Sequence, residues 1–563
     1  MNRTDTLAAL RDHPDVSVLI VGGGINGIAT FRDLALNGVD VLLVDRADFC
    51  SGASAASSHM AHGGIRYLEN GEFRLVREAV QERNRLIRNA PHLVEPLPTT
   101  IPIFRRFSGL LNAPLKFLGL LDRPSERGAL VIKIGLMLYD AYTGRERVVP
   151  RHQFLDRRQS LALWPDLNPA VTHTATYFDG AILQPERLAA ELLLDAENEN
   201  GGARALNYVR LVGAVDAHVT LRDELSGSDY TIKPRLVVNA AGPWIDLANQ
   251  TLGMQTRYIG GTKGSHLVLD HPQLRATIGD HEFFFENKDG RIVLIFPLFD
   301  RVLVGTSDIS TDSPDDVACT EDEVDYFLQM IARVFPTIKV TREHIVFRFS
   351  GVRPLAAAKS RATGQIARDH EIQILPPERT GLPFPIYSLV GGKWTSFRAF
   401  SEQVTDTALA FLGSQRRSDT RNLPIGGGRG YPLNPEDRAR ALAAIVASSG
   451  LSAERAETLL VRYGTRASQL AEFIRAGKDA ALLTLPDYSR REFGFIARHE
   501  KVVHLDDLLL RRSMLAMLGR LQRASVDEIA DAVAEHLGWN RQLKESEISS
   551  FVRLLSGRHH VSL

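Results

Sequence analysis

The first stretch of the chain alternates fully apolar runs with glycine-rich breaks. Residues 18–21 carry no polar side chain, the pattern of a strand buried on both faces of a parallel sheet. Glycines follow, residues 25–37 read as a helix, and a second apolar run, 41–44, ends in Asp45. Leu75, Val76, Ala79, Val80, Leu86 and Ile87 recur at roughly helical spacing and predict a helix over 72–89. A helix over 185–199 begins on Pro185, which suits a first turn. Strands near 209–215 and 236–239 return to the first sheet. From 246 to 350 strands and loops alternate, as in HLVLD, RIVLIFPLF and RVLVGTSD, and read as an antiparallel sheet roofing a site. The stretch 426–437, GGGRGYPLNPED, is the clearest linker. Capped helices follow, with Ser452 ahead of 453–463 and Ser525 ahead of 526–537.

The resulting division is a flexible polar tail over 1–15, a discontinuous α/β domain over 16–245 and 351–412, a sheet domain over 246–350, a linker over 413–437 and a helical domain over 438–563. A length of 563 residues suits two or three domains. A formal net charge of zero offers no strong field for nucleic acid, so contact with a polyanion or a membrane has to come from local patches. Two cysteines, Cys50 and Cys319, form no CxxC pair, which argues against a disulfide framework, a zinc ribbon or a redox dithiol; Cys50 reads as a small packed residue. No secretory signal and no run of about 20 apolar residues is visible.

Gly22-x-Gly24-x-x-Gly27 lies inside the first βαβ unit. Gly22 permits the tight turn, Gly24 lets a pyrophosphate approach the backbone, and Gly27 lets the helix pack on the strand. The helix N-terminus offers N–H groups to phosphate, and Asp45 can accept hydrogen bonds from an adenosine ribose. The turn alone does not separate NAD from FAD. LVVNAAGPW (236–244) and LVGGKWTSF (389–397) are further apolar segments ending in small residues. Contacts near 22, 240 and 391 imply that another domain is inserted between them.

CSGASAASSHMAHGGIRYLENGEFRLVREAVQERNRLIRNAPHLV (50–94) resembles the signature region of the FAD-dependent glycerol-3-phosphate dehydrogenases. KGSH (263–266), GTSD (305–308), SGVRPL (350–355), ARD (367–369) and GGKWTSFR (391–398) match in the family's order, and ARHEKVVHLDDLLLRR (497–512) is similar to its helical cap. The resemblance implies an α/β fold: a Rossmann-type FAD-binding domain with an inserted antiparallel-sheet substrate domain and a C-terminal α-helical domain, as in the flavoproteins related to glutathione reductase and D-amino-acid oxidase. The candidate FAD contacts are Gly22, Gly24, Asn26, Gly27 and Asp45, then Ser57, Ser58, Gly63 and Gly64, then Ala241 and Gly242, and finally Gly391, Gly392, Lys393 and Thr395. No metal is expected.

A phosphorylated polyol needs cations around its phosphate, and the planar fork of arginine suits phosphate oxygens. The matched motifs assign Arg66, Arg368 and Lys393 to the phosphate, with Tyr67 beside them. Oxidising the alcohol needs a hydride acceptor, which flavin N5 supplies, and a base titrating near neutrality. His266, one of 17 histidines, matches the family's active-site residue. Arg353 is placed to bind substrate and to stabilise the developing alkoxide or ketone oxygen. His62 is assigned to shaping the flavin loop.

Three departures from the family pattern leave the exact substrate open: His59 where lysine is usual, Trp394 and Ser396 where GGKLTT is common, and Gln184-Pro185-Glu186 in place of an acidic pair. The resemblance favours a membrane quinone as acceptor. Segment 101–121 carries Arg105, Arg106 and Lys116 among Phe104, Phe107, Leu111 and Phe117 and suits a peripheral anchor on the cytoplasmic face of a membrane, with a buried helix or a dimer contact as the alternatives. A homodimer is left open. The leading reading is oxidation of sn-glycerol 3-phosphate to dihydroxyacetone phosphate. The alternatives are another polyol phosphate such as a tetritol phosphate, an oxidase releasing peroxide, an amine oxidase, and a flavin-binding protein without turnover.

Overall fold

The computed structural model describes residues 3–64, 73–104, 132–133, 135–137, 139–140, 147–286, 292–311, 313–315, 317–357 and 370–563. Arg66, Tyr67, Arg368 and most of segment 101–121 lie outside them.

Apolar runs with no polar face need cover on both sides, and the first sheet has it. Its strands run in the order Glu371–Leu375, Ile386–Val390, Asp229–Asn239, Asp15–Val21, Val41–Val44, Ala203–Leu206. The last five are parallel, and Glu371–Leu375 joins antiparallel at the edge. Val18 and Ile20 face the helices Ile25–Leu36, Pro185–Glu199 and Phe397–Leu412, packing with Ile28, Phe31, Leu188, Leu192 and Phe400. Leu19 and Val21 face the other way, onto Leu211, Val219 and Leu221. Strand Val209–Val215 does not join the parallel ladder. It pairs with His218–Asp223, which in turn pairs with the first half of Asp229–Asn239.

The N-terminal residues correct one expectation. Arg3–Asp12 is a helix, with Leu7 and Leu10 buried under the sheet, and Arg3 is ion-paired with Asp223. Its polar composition hid two apolar residues three apart, enough for one buried stripe.

The second sheet has ten strands among the described residues, ordered Ile309–Ser310, Thr262–Leu269, Arg301–Gly305, Ile292–Leu298, Glu282–Glu286, Val94–Ile103, His173–Ile182, Met60–Ala61; Ile345–Arg353 also pairs with Thr262–Leu269, and Gln153–Asp156 with His173–Ile182. The expected start at 246 is therefore corrected, because Met60–Ala61, Val94–Ile103, Gln153–Asp156 and His173–Ile182 all precede it. The boundary at 351 is corrected too, since Ile345–Arg353 continues through it. Pairing is antiparallel except between Glu282–Glu286 and Val94–Ile103. Strand Val94–Ile103 holds Pro96, Pro98 and Pro102, which argue against an interior strand when read locally.

The C-terminal helices pack onto this sheet. Leu459, Leu460, Phe493, Ile496, Val526 and Phe551 share a core with Val268, Leu303, Phe347 and Phe349. The helix expected after Ser525 begins earlier, as Arg523–Leu537, with Gln522 as the cap; the Gln522 N–H donates to the Ser525 hydroxyl at 3.4 Å. The stretch 413–437 is not a free linker over its glycines. A Cβ on Gly427 would meet the Tyr463 carbonyl oxygen at 2.1 Å and one on Gly428 the Asn89 carbonyl at 2.5 Å, so these glycines are a packed seam.

Buried ions close the junction between the first domain and the cap. Arg187 makes a two-point bond to Glu500 at 3.0 and 3.0 Å. Arg512 donates twice to Asp48 at 2.9 and 2.9 Å, and Arg511 adds a third bond at 2.5 Å. Burial alone would raise the Asp48 carboxyl, but Arg512 and Arg511 hold it down at about 2. Asp48→Ala would leave buried Arg512 without its carboxylate partner, while Arg511 keeps Asp506 and Asp507, and should cost about 3–5 kcal/mol in urea unfolding at pH 7. A depressed carboxyl stabilises above its unfolded pKa of 3.8 and loses that contribution as pH falls through about 2. The penalty of the variant should therefore shrink between those two values, and a constant penalty across that window would contradict the assignment.

Candidate functional site

The parallel strands end together. Val21 lies beside Val44 and Asn239, and Asn239 beside Ser388, so the glycine turn, Asp45, Ala241 and Gly391 emerge at one edge. Gly22 has φ +110°, and a Cβ there would lie 2.6 Å from the Ala240 carbonyl carbon. Gly24 caps the helix Ile25–Leu36 without a side chain of its own, and the Ile25 N–H donates to Ser54 Oγ at 3.0 Å. The Asn26 amide donates to the Gly391 carbonyl at 3.1 Å, which joins residues 26 and 391 as expected, while its buried Oδ1 has no protein partner. Asp45 accepts from the N–H of Gly23 at 2.6 Å and of Ala47 at 2.9 Å, and burial raises its carboxyl to about 6. Ala241 donates its N–H to Asn239 Oδ1 at 3.2 Å, and Gly242, Gly391 and Gly392 all take positive φ. A helix N-terminus behind a glycine turn, a backbone cradle and unspent acceptors at Asp45 and Asn26 fit a dinucleotide.

The segment between the sheets is tied on both sides. Ser57 Oγ accepts from the His59 N–H at 3.4 Å, and Ser58 Oγ lies 2.8 Å from His266 Nε2. The His62 N–H donates to Thr395 Oγ1 at 2.9 Å, and the Gly63 N–H to Asp179 at 2.9 Å; Gly64 has φ +71°. Asp179 also takes the Tyr139 hydroxyl at 2.6 Å and stands 3.6 Å from Arg83. This Arg83–Tyr139–Asp179 group, which holds the turn after His62, was not singled out from the sequence. Its one signal was Asp179 in the stretch YFDGAILQPERL.

His266 and Arg353 come from adjacent strands. His266 stands opposite Phe349 and Arg353 opposite Thr262, so both side chains rise from the same face. The His266 ring stacks on Phe349 at 4.8 Å, and a Cβ on Gly305 would lie 2.2 Å from it. A base titrating near neutrality was expected. Instead burial, with the charges of Arg353 and His59 adding to it, pushes His266 well below 6.5, so the ring is neutral. Among the described residues its Nδ1 has no hydrogen-bond partner. Arg353 donates to Thr306 Oγ1 at 2.7 Å, the Ser307 carbonyl at 3.1 Å and Asp308 at 3.2 Å, lying where a Cβ on Gly264 would collide with it. Lys393 is half-buried in the glycine pair's turn.

Of the departures, Trp394 donates its indole N–H to the Ser54 carbonyl at 3.1 Å inside the first domain's core, so it is a packing residue. Ser396 is buried with no partner for its Oγ. His59 is fully buried with neither ring nitrogen hydrogen-bonded, and burial lowers it to about 4. Cys50 and Cys319 are buried and free. Among the described residues no cluster could hold a metal ion.

A glycine turn at the carboxyl edge of a parallel sheet, roofed by a second sheet, defines the class of FAD-dependent oxidoreductases, and that family's model matches residues 17–373. A second model, the C-terminal domain of alpha-glycerophosphate oxidase, matches 418–544. The chain is 32% identical to a glycerol-3-phosphate dehydrogenase of Synechocystis sp. over 96% of this chain and 97% of that one. It is 31% identical to one of Pseudomonas aeruginosa over 89% and 92%. The fold is that of the glycerol-3-phosphate dehydrogenase from Bacillus halodurans complexed with FAD, with TM-score 0.76, 22% identity and coverage of 98% and 97%. The chain thus belongs to the FAD-dependent glycerol-3-phosphate dehydrogenase family.

Asp45 gives this site a measurable signature. Hydrogen bonds from ribose hydroxyls favour its ionised form, so FAD binding should tighten as pH rises through about 6. Asp45→Ala should weaken FAD binding by about 1.5–3 kcal/mol, roughly 10- to 150-fold, and flatten that pH dependence in titrations of the apoprotein.

Proposed function

We propose that the protein oxidises sn-glycerol 3-phosphate to dihydroxyacetone phosphate and passes the electrons to a membrane quinone. The observation that carries this reading is the pairing of neutral His266 with the fixed cation of Arg353 on one face of the roofing sheet. The names of the relatives support the substrate.

In this mechanism Arg353 binds the C2 oxygen and stabilises the charge it gains as its proton leaves. His266 takes that proton on a ring nitrogen; Ser58 at its Nε2 and Phe349 against its face hold the imidazole in place. FAD, when bound, accepts the C2 hydrogen as hydride. Lys393 binds the phosphate, with Arg66, Arg368 and Tyr67 contributed by segments outside the described residues. The candidate flavin contacts at the strand ends, together with Ser57, Ser58, Gly63, Gly64 and Thr395, would hold the cofactor.

A peripheral position on the cytoplasmic face of a membrane is supported by the basic, Phe- and Leu-rich composition of 105–121, and no helix among the described residues is long and apolar enough to cross a bilayer. A second reading, the same chemistry on another polyol phosphate such as a tetritol phosphate, is supported by the departures from the family pattern at His59 and Gln184-Pro185-Glu186.

Anaerobic bleaching of the bound flavin by a panel of polyols and their phosphates tests the substrate. sn-Glycerol 3-phosphate should bleach fastest and glycerol hardly at all; preference for a tetritol phosphate would favour the second reading, and equal bleaching by unphosphorylated polyols would refute both. Reoxidation should be faster with a soluble quinone than with air.

His266→Ala should slow flavin reduction about 10²- to 10⁴-fold. A depressed histidine keeps its base form until pH falls well below 6.5, so wild-type reduction should stay level from pH 8 to about 6.5 and fall only in stronger acid. A wild-type rate in the variant would assign the proton to another base.

A further inference from the structure

The motifs KGSH, GTSD and SGVRPL carry polar residues that the chemistry above does not use: Lys263, Ser265, Ser307 and Ser350. Strand alternation sends Thr262, Gly264 and His266 to the site face and Lys263 and Ser265 to the reverse. There the polar groups converge on one carboxylate, Glu323, in the first turn of the helix Glu321–Val334 and only 4% exposed.

The carboxylate is saturated. Lys263 Nζ donates to Oε2 at 2.7 Å, and the Thr320 backbone N–H adds a bond at 2.8 Å. Ser265 and Ser307 hydroxyls donate to Oε1 at 2.8 and 2.5 Å. The Ser307 hydroxyl oxygen also accepts the Ser265 N–H at 2.9 Å, and Ser265 Oγ lies 2.7 Å from Ser350 Oγ. All three motifs are therefore fastened to one side chain behind the sheet. On the front, the carbonyl of the same Ser307 accepts from Arg353 at 3.1 Å, and its neighbours Thr306 and Asp308 take the other guanidinium bonds. The turn 306–308 has Glu323 at its back and Arg353 at its front.

We propose that Glu323 is a positioning residue for Arg353, pinning Ser307 from behind the sheet and so setting where the guanidinium stands beside the substrate oxygen. The proposal rests on the reading of Arg353 given above. Anchoring the helix would require much less: Thr320 already caps it through a reciprocal box with Glu323, and one bond to Lys263 would dock it. The bonds to Ser265 and Ser307 go instead to the strand that carries His266 and to the turn that holds Arg353.

The test is limiting flavin reduction by sn-glycerol 3-phosphate in the FAD-loaded enzyme, for wild type, Glu323→Gln, Arg353→Ala and the double variant. Glu323→Gln should lower the limiting rate about tenfold, as expected for a displaced but still charged group, and change the substrate concentration for half-maximal rate by less than about threefold. In the Arg353→Ala background the same substitution should change the rate less than about twofold. Lys263→Met combined with Glu323→Leu exchanges the buried ion pair for apolar contacts, which such sites tolerate, and should show the same fall. An equal loss with and without Arg353, or a wild-type rate in both Glu323 variants, would overturn the proposal while leaving Arg353 in its role. A wild-type rate in Arg353→Ala alone would overturn the reading of Arg353, and the positioning role with it.

Discussion

Everything in the first domain depends on how closely a helix approaches a strand. A Cβ on Gly27 would lie 1.9 Å from the Gly22 carbonyl oxygen, so only glycine lets the helix Ile25–Leu36 sit down at the end of Asp15–Val21. That approach aims the helix N-terminus across the strand ends and keeps Asn26 within reach of Gly391, 365 positions away. Residues 22, 241 and 391 then meet at one edge because parallel neighbours in register end together. The energy comes from the sheet being apolar on both faces, and the geometry from one missing methyl group.

The roofing sheet uses glycine differently. Gly264, Gly305 and Gly351 lie on neighbouring strands, each where a functional or packed side chain crosses: Arg353 over Gly264, the His266 ring over Gly305, and Ala56 over Gly351. A flat, crowded face becomes one on which two bulky polar side chains lie close together. Their closeness has an electrostatic result. The arginine's charge adds to burial in keeping the histidine neutral, so the ring beside this cation is held in its proton-accepting form.

Local pattern made part of this legible. Val41–Val44, Pro185–Glu199 and Ala453–Tyr463 stand where periodicity and caps put them, because each is specified within its own dozen residues. The β-rich half was legible in part: its antiparallel sheet was expected over 246–350, and what local pattern missed were the strands contributed from before 246. Val94–Ile103, which holds three prolines, was not singled out as a strand, and it is one because His173–Ile182 pairs along its whole length. The glycine seam reads as slack until Tyr463 and Asn89 are seen against it. His266 and Arg353 were found through motifs, whereas Glu323 belongs to none of them; its importance exists only in three dimensions, where three motifs turn their backs on it.

The loop after Val41–Val44 shows how the cap bears on the cofactor site without touching it. Asp45 and Asp48 are three residues apart, both acidic and both withdrawn from solvent, yet burial raises the first to about 6 while Arg512 and Arg511 hold the second at about 2. Both of the cap's arginines reach Asp48, in one case across 464 positions, and Arg511 also pairs with Asp506 and Asp507. Arg46, the nearest other cation, pairs with Asp315 and lies over the Trp244 ring at 4.9 Å. Asp45 is thus left with backbone partners alone, an acceptor no side-chain cation has claimed, at the place where a ribose offers hydroxyl donors. Had the arginines reached Asp45 instead, the loop would be as well anchored but the acceptor would be spent. The helical cap therefore does two things with one ion cluster: it locks the loop, and by pairing with Asp48 it leaves Asp45, among the described residues, without a side-chain ion pair.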